Sequence, residues 1–356
     1  MSCFIQKHKA ETINSKLIEE PLVSICVQTY QHESYISQCL DSILMQQTNF
    51  AFEIILGEDK SLDGTRALCV QYAEKYPDII RLFLRSRKDV IYVNGNPTGR
   101  FNMLENIKSA NGKYIAMLEG DDYWSDPLKL QKQVDLLESN KSLIACHHWQ
   151  KIAKKENGTY LEFEAPKKGH GYFPNSIATV KNIFSNEMRV KTRALMFRNI
   201  INEDFFPDWF YKVSFGDVPL SFLLGKHGDF GFIDEEMAVY RITGKGVSTS
   251  GLEELGQRKF AVQHFKNWIE IWDRANVFYD YKYEEDVLKT VNYFYEQIII
   301  NLKFNLSNLI LLLKYNFFER KIPLLMKLNH GKWLILKCFS FSKKRVIKKL
   351  KTYKWK

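Results

Sequence analysis

The chain predicts an α/β fold with a mostly parallel central sheet, followed by a helical, basic C-terminal region. Three observations carry this prediction. Short apolar runs alternate with segments of helical spacing over the first 140 residues, the order that βαβ units produce. The runs are almost continuously apolar, as strands buried on both faces are. Polar and acidic residues gather where the runs end, and ligands of such sheets sit beyond those ends.

Taken in order, PLVSICVQTY (21–30) is the first strand, entered from a proline. Ile36, Leu40, Ile43 and Leu44 then fall at helical spacing within 33–47. FEIILGED (52–59) is a second strand, the turn SLDGT follows, and TRALCVQYAEKY (65–76) is a helix closed by Pro77. IIRLFLRS (79–86) is a third strand. After the loop NGNPTG comes a helix near 100–110, capped by Asn111-Gly112. YIAMLEGDD is the fourth strand, and Asp126-Pro127 opens a helix over 128–140 with proline in its first turn. Beyond it, strands are expected at 142–149, 192–199 and 229–242, and a helix at 218–228. From about 252 the chain reads as helical and aromatic.

Composition bounds the class. Of 356 residues, 45% are hydrophobic and 26% charged, as in a globular protein. Six cysteines lack any CxxC pair and read as reduced thiols of a cytosolic protein. Residues 1–20 form an N-terminal extension without the apolar core of a signal peptide. Charge is segregated: residues 301–356 hold 15 Lys and Arg against the single acid Glu319, whereas the first 300 residues hold 36 bases and 40 acids. The body is mildly acidic, and the basic tail calls for a partner of its own.

YIAMLEGDDYW sets Glu119, Asp121 and Asp122 at the tip of a hydrophobic strand. A nucleoside diphosphate cannot approach such carboxylates unaided; Mg²⁺ or Mn²⁺ between them resolves the conflict. Adjacent residues on a strand point apart, so one aspartate can reach the metal while the other accepts a ribose hydroxyl. The alternative is a solvated acidic turn ahead of a helix N-terminus. The polar tips Thr29-Tyr30 and Glu58-Asp59 favour a site.

The segments PLVSICVQTYQHESYISQCLDSIL, EIILGEDKSLDGT and YIAMLEGDDYWSDPLKLQKQ resemble the family 2 glycosyltransferases with a GT-A fold, in the family's order and spacing, over about residues 20–250. Bacterial enzymes of capsule, O-antigen and other envelope polysaccharides are the nearest in kind. The resemblance implies a nucleotide half (21–140), an acceptor half (141–250) and a C-terminal region (251–356). It implies that Thr29 and Tyr30 contact the base, with Tyr30 stacking, and that Asp59 accepts the uracil N–H. Asp121 would bind ribose or sugar at the metal's edge, Asp122 would be the main metal ligand, and Asn102 with Arg100 would line the nucleotide-sugar pocket. Asp217 matches the family's base, which takes the proton of the acceptor hydroxyl in an inverting displacement; without the resemblance it reads first as a helix cap. Arg241, Lys245 and Ser248 would neutralise the leaving diphosphate. Three departures stand out: Thr243 replaces a frequent His, the Trp after the valine is missing, and Gln31 replaces a frequent Asn. His147 and His148, adjacent on a strand, point to opposite faces and do not suggest a shared metal.

In the tail, Leu306, Leu309, Ile310, Leu313 and Phe317 mark one helical face, and Lys303, Asn308 and Lys314 break any membrane-spanning run. SKKRVIKKLKTYKWK places Val346, Leu350 and Tyr353 on one face among lysines. Such a segment suits an anionic membrane surface; the alternatives are a helical cap on the core and, against the acidic body, nucleic acid. The expected protein is thus a cytoplasmic enzyme held peripherally at the inner face of the membrane. It would pass a sugar from a nucleotide sugar, UDP-linked, to a lipid-linked envelope oligosaccharide. Two rivals are a sugar nucleotidyltransferase, whose Gly-rich phosphate loop QTYQHESY lacks, and a non-catalytic binding subunit of the same fold.

Overall fold

The computed structural model describes residues 8–14, 20–167, 172–173, 177–244, 256–302 and 305–353, with backbone alone over 341–353. The chain divides into two compact units, Met1–Gly246 and Val247–Lys356.

In the first unit, β1 (Glu11–Ile13), β2 (Val23–Thr29), β3 (Phe52–Glu58), β4 (Ile80–Leu84) and β7 (Tyr114–Glu119) make one half of a sheet in the order β1-β4-β3-β2-β7. All neighbours there are parallel except edge strand β1. Helices α1 (Ile36–Leu44), α2 (Thr65–Lys75) and α3 (Arg100–Lys108) are the crossovers. The Val, Ile and Leu side chains of the strands pack with Ile36, Leu40, Ile43 and Cys69 in one fully buried core. Register brings the carboxyl ends level: Thr29 lies opposite Glu58, and Gln28 opposite Glu119.

The sheet continues through β12 (Met196–Arg198), antiparallel to both β7 and β9 (Leu143–Glu156), and then β13 (Asp229–Ile242), parallel to β9. The ribbon β5 (Tyr92–Val93) with β6 (Asn96–Pro97) stands apart. Short strands β8 (Tyr123–Trp124) and β11 (Ile177–Ala178) flank β13, and β10 (Thr159–Glu164) forms a hairpin with β9. That hairpin carries β9 past the expected end at 149. The strand expected at 192–199 is broken by a 3₁₀ turn, Thr192–Ala194, because Arg193 is held inward, as described below. The helix after Pro127, α4, begins only at Lys129 and ends at Ser139, since Asp126 Oδ1 first accepts the Leu128 N–H at 2.7 Å.

The second unit is helical: Gln257–Phe278, Glu284–Leu302, Leu306–Lys314, a π-helical turn Tyr315–Glu319, and Leu324–Tyr353. Trp268, Trp272, Phe294 and Ile298 are buried in its core, with Trp272 edge-on to Phe294 at 5.2 Å. Arg320 is buried and gives two hydrogen bonds to Asp273, at 2.8 and 2.6 Å. It also donates to Asn316 and His330. The apolar face proposed for 306–317 is displaced. Leu309 and Leu312 are buried while Leu306 and Ile310 are exposed, and the π turn from Tyr315 alters the helical phase only beyond them. Leu324–Tyr353 is one 30-residue helix, and the Val346, Leu350 and Tyr353 side chains lie outside the described residues.

A buried polar lattice holds α3 to the strand ends. Arg85 Nη1 donates to Asn102 Oδ1 at 2.5 Å and to Asn106 Oδ1 at 2.6 Å. The two amides in turn donate to the carbonyls of Gly57 at 2.7 Å and Val27 at 2.8 Å. A Cβ on Gly57 would sit 2.1 Å from both Arg85 Nη1 and Asn102 Oδ1, so glycine is required where the lattice crosses β3. Gly57→Ala is expected to lower stability by about 2 kcal/mol, read as a lower urea midpoint with an unchanged slope.

Candidate active site

The level ends of β2, β3 and β7 bring together the three polar tips that the sequence marks. At the β3 tip, Glu58 is spent locally: it accepts the backbone N–H groups of Lys60 and Ser61 and the Arg66 side chain. Asp59, 2% exposed, accepts from Arg87 at 2.7 Å through Oδ2. Its other oxygen, Oδ1, is buried with no hydrogen-bond partner. Burial pushes the Asp59 carboxyl up to about 6, against the pull of Arg87. The same Arg87 guanidinium lies 3.9 Å from the centre of the Tyr30 ring, a stacked cation–π pair. Tyr30, Arg87 and Asp59 therefore form one unit with an aromatic face and an unfilled acceptor.

At the β2 tip, Thr29 is buried and its Oγ1 lies 3.2 Å from His32 Nδ1. Gln31 and Lys60, just after β2 and β3, take left-handed backbone angles of φ 56° each, a strained geometry for side chains with a Cβ. The Gln31 N–H donates to Ser61 Oγ at 2.8 Å, joining the two turns. Gly120 allows the β7 turn to close on them, since a Cβ there would lie 2.7 Å from Thr29 Oγ1 and 2.8 Å from His32 Nδ1.

The three carboxylates of the β7 tip do not converge. Asp122 turns inward, 1% exposed. Its Oδ2 accepts from Arg193 Nε at 2.5 Å and its Oδ1 from the Arg241 N–H at 2.8 Å. Both oxygens of Asp122, the main metal ligand expected from sequence, are thus met by protein donors. Asp121 keeps its carboxylate partly exposed, 4.0 Å from His32 Nε2. Burial lowers His32 to about 4, so the imidazole is neutral at pH 7. Glu119 has a buried, unpartnered Oε2 and a pKa raised to about 8, chiefly by desolvation.

Two expected donor-facing arginines are enclosed instead. Arg100 donates to the carbonyls of Phe210, Val213 and Phe215, pinning the loop before α6 (Asp217–Leu224). Arg241 donates to the Asp121 carbonyl and to Gln38, ringed by Tyr35, Tyr123 and Tyr160 at 4.9, 4.8 and 5.5 Å. Asn102 belongs to the Arg85 lattice. Lys245 and Ser248 lie outside the described residues. Asp217 does not cap α6; it is the first helical residue after Gly216 and accepts the Val218 N–H at 2.9 Å. Its charge acts on Glu119, on Arg100 and on Lys191, so it lies within electrostatic reach of the β7 tip. His147 and His148 are buried, with pKa values driven down by desolvation, and serve as neutral core residues.

A sequence profile of glycosyl transferase family 2 matches residues 24–205, from the first strand of the parallel half to past Arg193. The chain belongs to glycosyl transferase family 2. An uncharacterised protein of Mycobacterium tuberculosis is 29% identical over 244 residues, which is 67% of this family 2 chain and 63% of the relative. The chain thus spans less than two thirds of the mycobacterial relatives it matches. TuaG of Bacillus subtilis, named as a teichuronic acid biosynthesis glycosyltransferase, is 30% identical over 143 residues, 40% of this chain and 52% of that one. S. aureus TarS 1–349 superposes with a TM-score of 0.51 at 17% identity, covering 86% of this chain and 77% of that one. The mannosyltransferase PcManGT from Pyrobaculum calidifontis, solved with GDP-Man and Mn²⁺, gives 0.51 at 13% identity, covering 94% and 91%. These likenesses establish the GT-A fold.

The structure adds Arg87, His32, Glu119, Lys191 and Arg193 to the site. Glu119 alone carried a sequence signal, as part of the acidic cluster; the others are brought in by chain reversals that no periodicity announces. Arg193→Met would leave the Asp122 carboxylate buried and half-paired, at a cost of about 3–5 kcal/mol. In a double-mutant cycle with Asp122→Asn, the second change is expected to cost far less than it does alone; strict additivity of the two unfolding free energies would refute the pairing.

Proposed function

We propose that this family 2 protein transfers a sugar from a nucleotide sugar, with UDP as the nucleotide, to a hydroxyl of a growing envelope oligosaccharide, with inversion at the anomeric carbon. The observation that carries the reading is the Asp59 Oδ1 acceptor, buried and unfilled beside the Tyr30–Arg87 stack. An imide N–H of a pyrimidine stacked on Tyr30 is the donor that such an oxygen lacks, and Thr29 would line the same base pocket.

Asp217 suits the base. As the acceptor oxygen bonds to the anomeric carbon and the bond to the diphosphate breaks, its carboxylate would take the hydroxyl proton. The residues at the β7 tip fit a divalent cation taken up together with the donor. Asp121 and the neutral His32 present oxygen and nitrogen, and the buried Glu119 Oε2 is a further unfilled oxygen at the same tip. Among the described residues no group of three or more such ligands could hold a metal ion by itself, consistent with a cation completed by phosphate oxygens. Mg²⁺ or Mn²⁺ held there would neutralise the diphosphate charge. Arg241 would support this by fixing the Asp121 backbone, and Lys245 and Ser248 remain assigned to the diphosphate by resemblance.

The likeness to TuaG supports an envelope polysaccharide as product class. A lipid-linked acceptor, met by an enzyme attached peripherally at the inner face of the membrane, completes this reading, and the basic C-terminal region supports it.

Two outcomes follow. UDP, titrated against the protein with Mn²⁺ present, should bind about fourfold more weakly at pH 5.5 than at pH 7.5. Protonation of Asp59, near pH 6, replaces the acceptor by an O–H; Asp59→Asn should weaken binding and flatten the profile. A preference for GDP over UDP in the same titration overturns the uracil assignment. Asp217→Asn should cut transfer by about 10²–10⁴-fold while UDP affinity stays within a factor of two. Transfer at the wild-type rate would remove Asp217 as base, and UDP binding without any turnover in the wild type would make this a non-catalytic member of the fold.

A further inference from the structure

Within the second unit, the helix Leu324–Tyr353 carries two apolar faces. Met326, His330, Leu334 and Cys338 are fully buried and repeat every fourth residue, which makes them the face packed into the unit. Leu324, Leu325, Leu328, Ile335, Leu336 and Phe339 are 66, 66, 51, 40, 61 and 62% exposed. At 3.6 residues per turn these six fall within an arc of about 120°, roughly opposite the buried row. Phe318, in the preceding π turn, is 84% exposed. A helix of a globular unit normally shows water its polar face; a contiguous apolar face of this kind marks an interaction surface.

Charge selects the occupant. Residues 301–356 carry 15 Lys and Arg and one acid. A second copy of this chain would bring two such basic surfaces together and repel itself. A surface of negative headgroups over an apolar interior matches both features at once. Lys332, the one charged residue inside the apolar arc, has a stem long enough to lie along that face while its ammonium reaches the headgroups. Among the described residues no helix is long and apolar enough to cross a membrane, so the helix would lie in the interfacial plane.

We propose that the exposed face Leu324–Phe339 seats the protein on an anionic phospholipid surface, with the lysines of 343–351 supplying the charge that holds it there. The apolar anchor therefore lies upstream of the segment that the sequence singles out. This deepens the peripheral-attachment part of the proposed function and rests on that part alone, so the transferase reading can fail without it.

The test is sedimentation of the full chain with vesicles of phosphatidylglycerol and phosphatidylethanolamine, against vesicles of phosphatidylcholine, at about 0.1 M salt. The wild type should bind the anionic vesicles at least about tenfold more tightly. The variant Leu325→Ser/Leu328→Ser/Leu336→Ser should lose about tenfold or more of that binding, with unchanged Tm and unchanged stabilisation by UDP. Replacing Lys343, Lys344, Lys348 and Lys349 by Gln should remove most of the salt dependence. Vesicle binding that the triple variant leaves intact overturns the proposal, as does failure of the wild type to bind. A wild-type dimer that the triple variant turns into monomer, seen by light scattering, assigns the face to a second copy instead. Retention on single-stranded RNA without vesicle binding assigns the basic region to nucleic acid and equally overturns it.

Discussion

The Asp122 carboxylate is the joint on which the first unit depends. It sits at the end of the parallel half of the sheet, yet both its donors come from the other half: Arg193 from the 3₁₀ turn before β12 and the Arg241 N–H from β13. Burial alone raises this carboxyl to about 6, in spite of Arg193, so the ion pair stabilises a charge that would otherwise be costly to hide. The pair does not stand by itself. Arg193 also reaches Gln150 at 2.5 Å, and its carbonyl accepts the Trp124 indole N–H at 3.0 Å. Four elements are thus fixed by one buried charge, and Asp121 is left facing outward because its neighbour faces in.

A second constraint, the Arg85 lattice, acts on the nucleotide side. Arg85 and its two asparagines occupy the space above Gly57 and clamp α3 to the carbonyls of β2 and β3. Buried polar groups of this kind are costly unless every member is satisfied, and here each amide is. The result is a rigid floor at the strand tips, on which the strained turns at Gln31 and Lys60 can hold Tyr30, His32 and Asp59 in place. Asp59 Oδ1, Glu119 Oε2 and Gln28 Oε1 are left without a partner, and Asp121 is partly exposed. These four lie at the strand ends, where a ligand is expected.

Charge follows the same division of labour. The body keeps its acids at the sheet tips, in a cluster whose pKa values are raised by burial and which a cation or a sugar hydroxyl would relieve. In the C-terminal unit the enclosed Arg320 is paired with Asp273. The acids of the sheet tips and the basic stretch 301–356 thus belong to different units.

Strand runs such as Val23–Thr29 and Tyr114–Glu119, the crossover helices and the full extent of β13 were legible in the sequence, because buried parallel strands and amphipathic helices write their periodicity into consecutive residues. So were the three polar tips, since each is a local change from apolar to polar or acidic. The roles within those tips were not. Whether Asp121 or Asp122 faces the cleft depends on Arg193, 71 residues away along the chain, and the enclosure of Arg100 and Arg241 depends on distant carbonyls and tyrosines. Composition and periodicity by themselves determined the architecture and the location of the site; only the tertiary structure decided which charged groups hold the protein together and which are left for a ligand, because a buried charge is placed by partners that the local sequence does not contain.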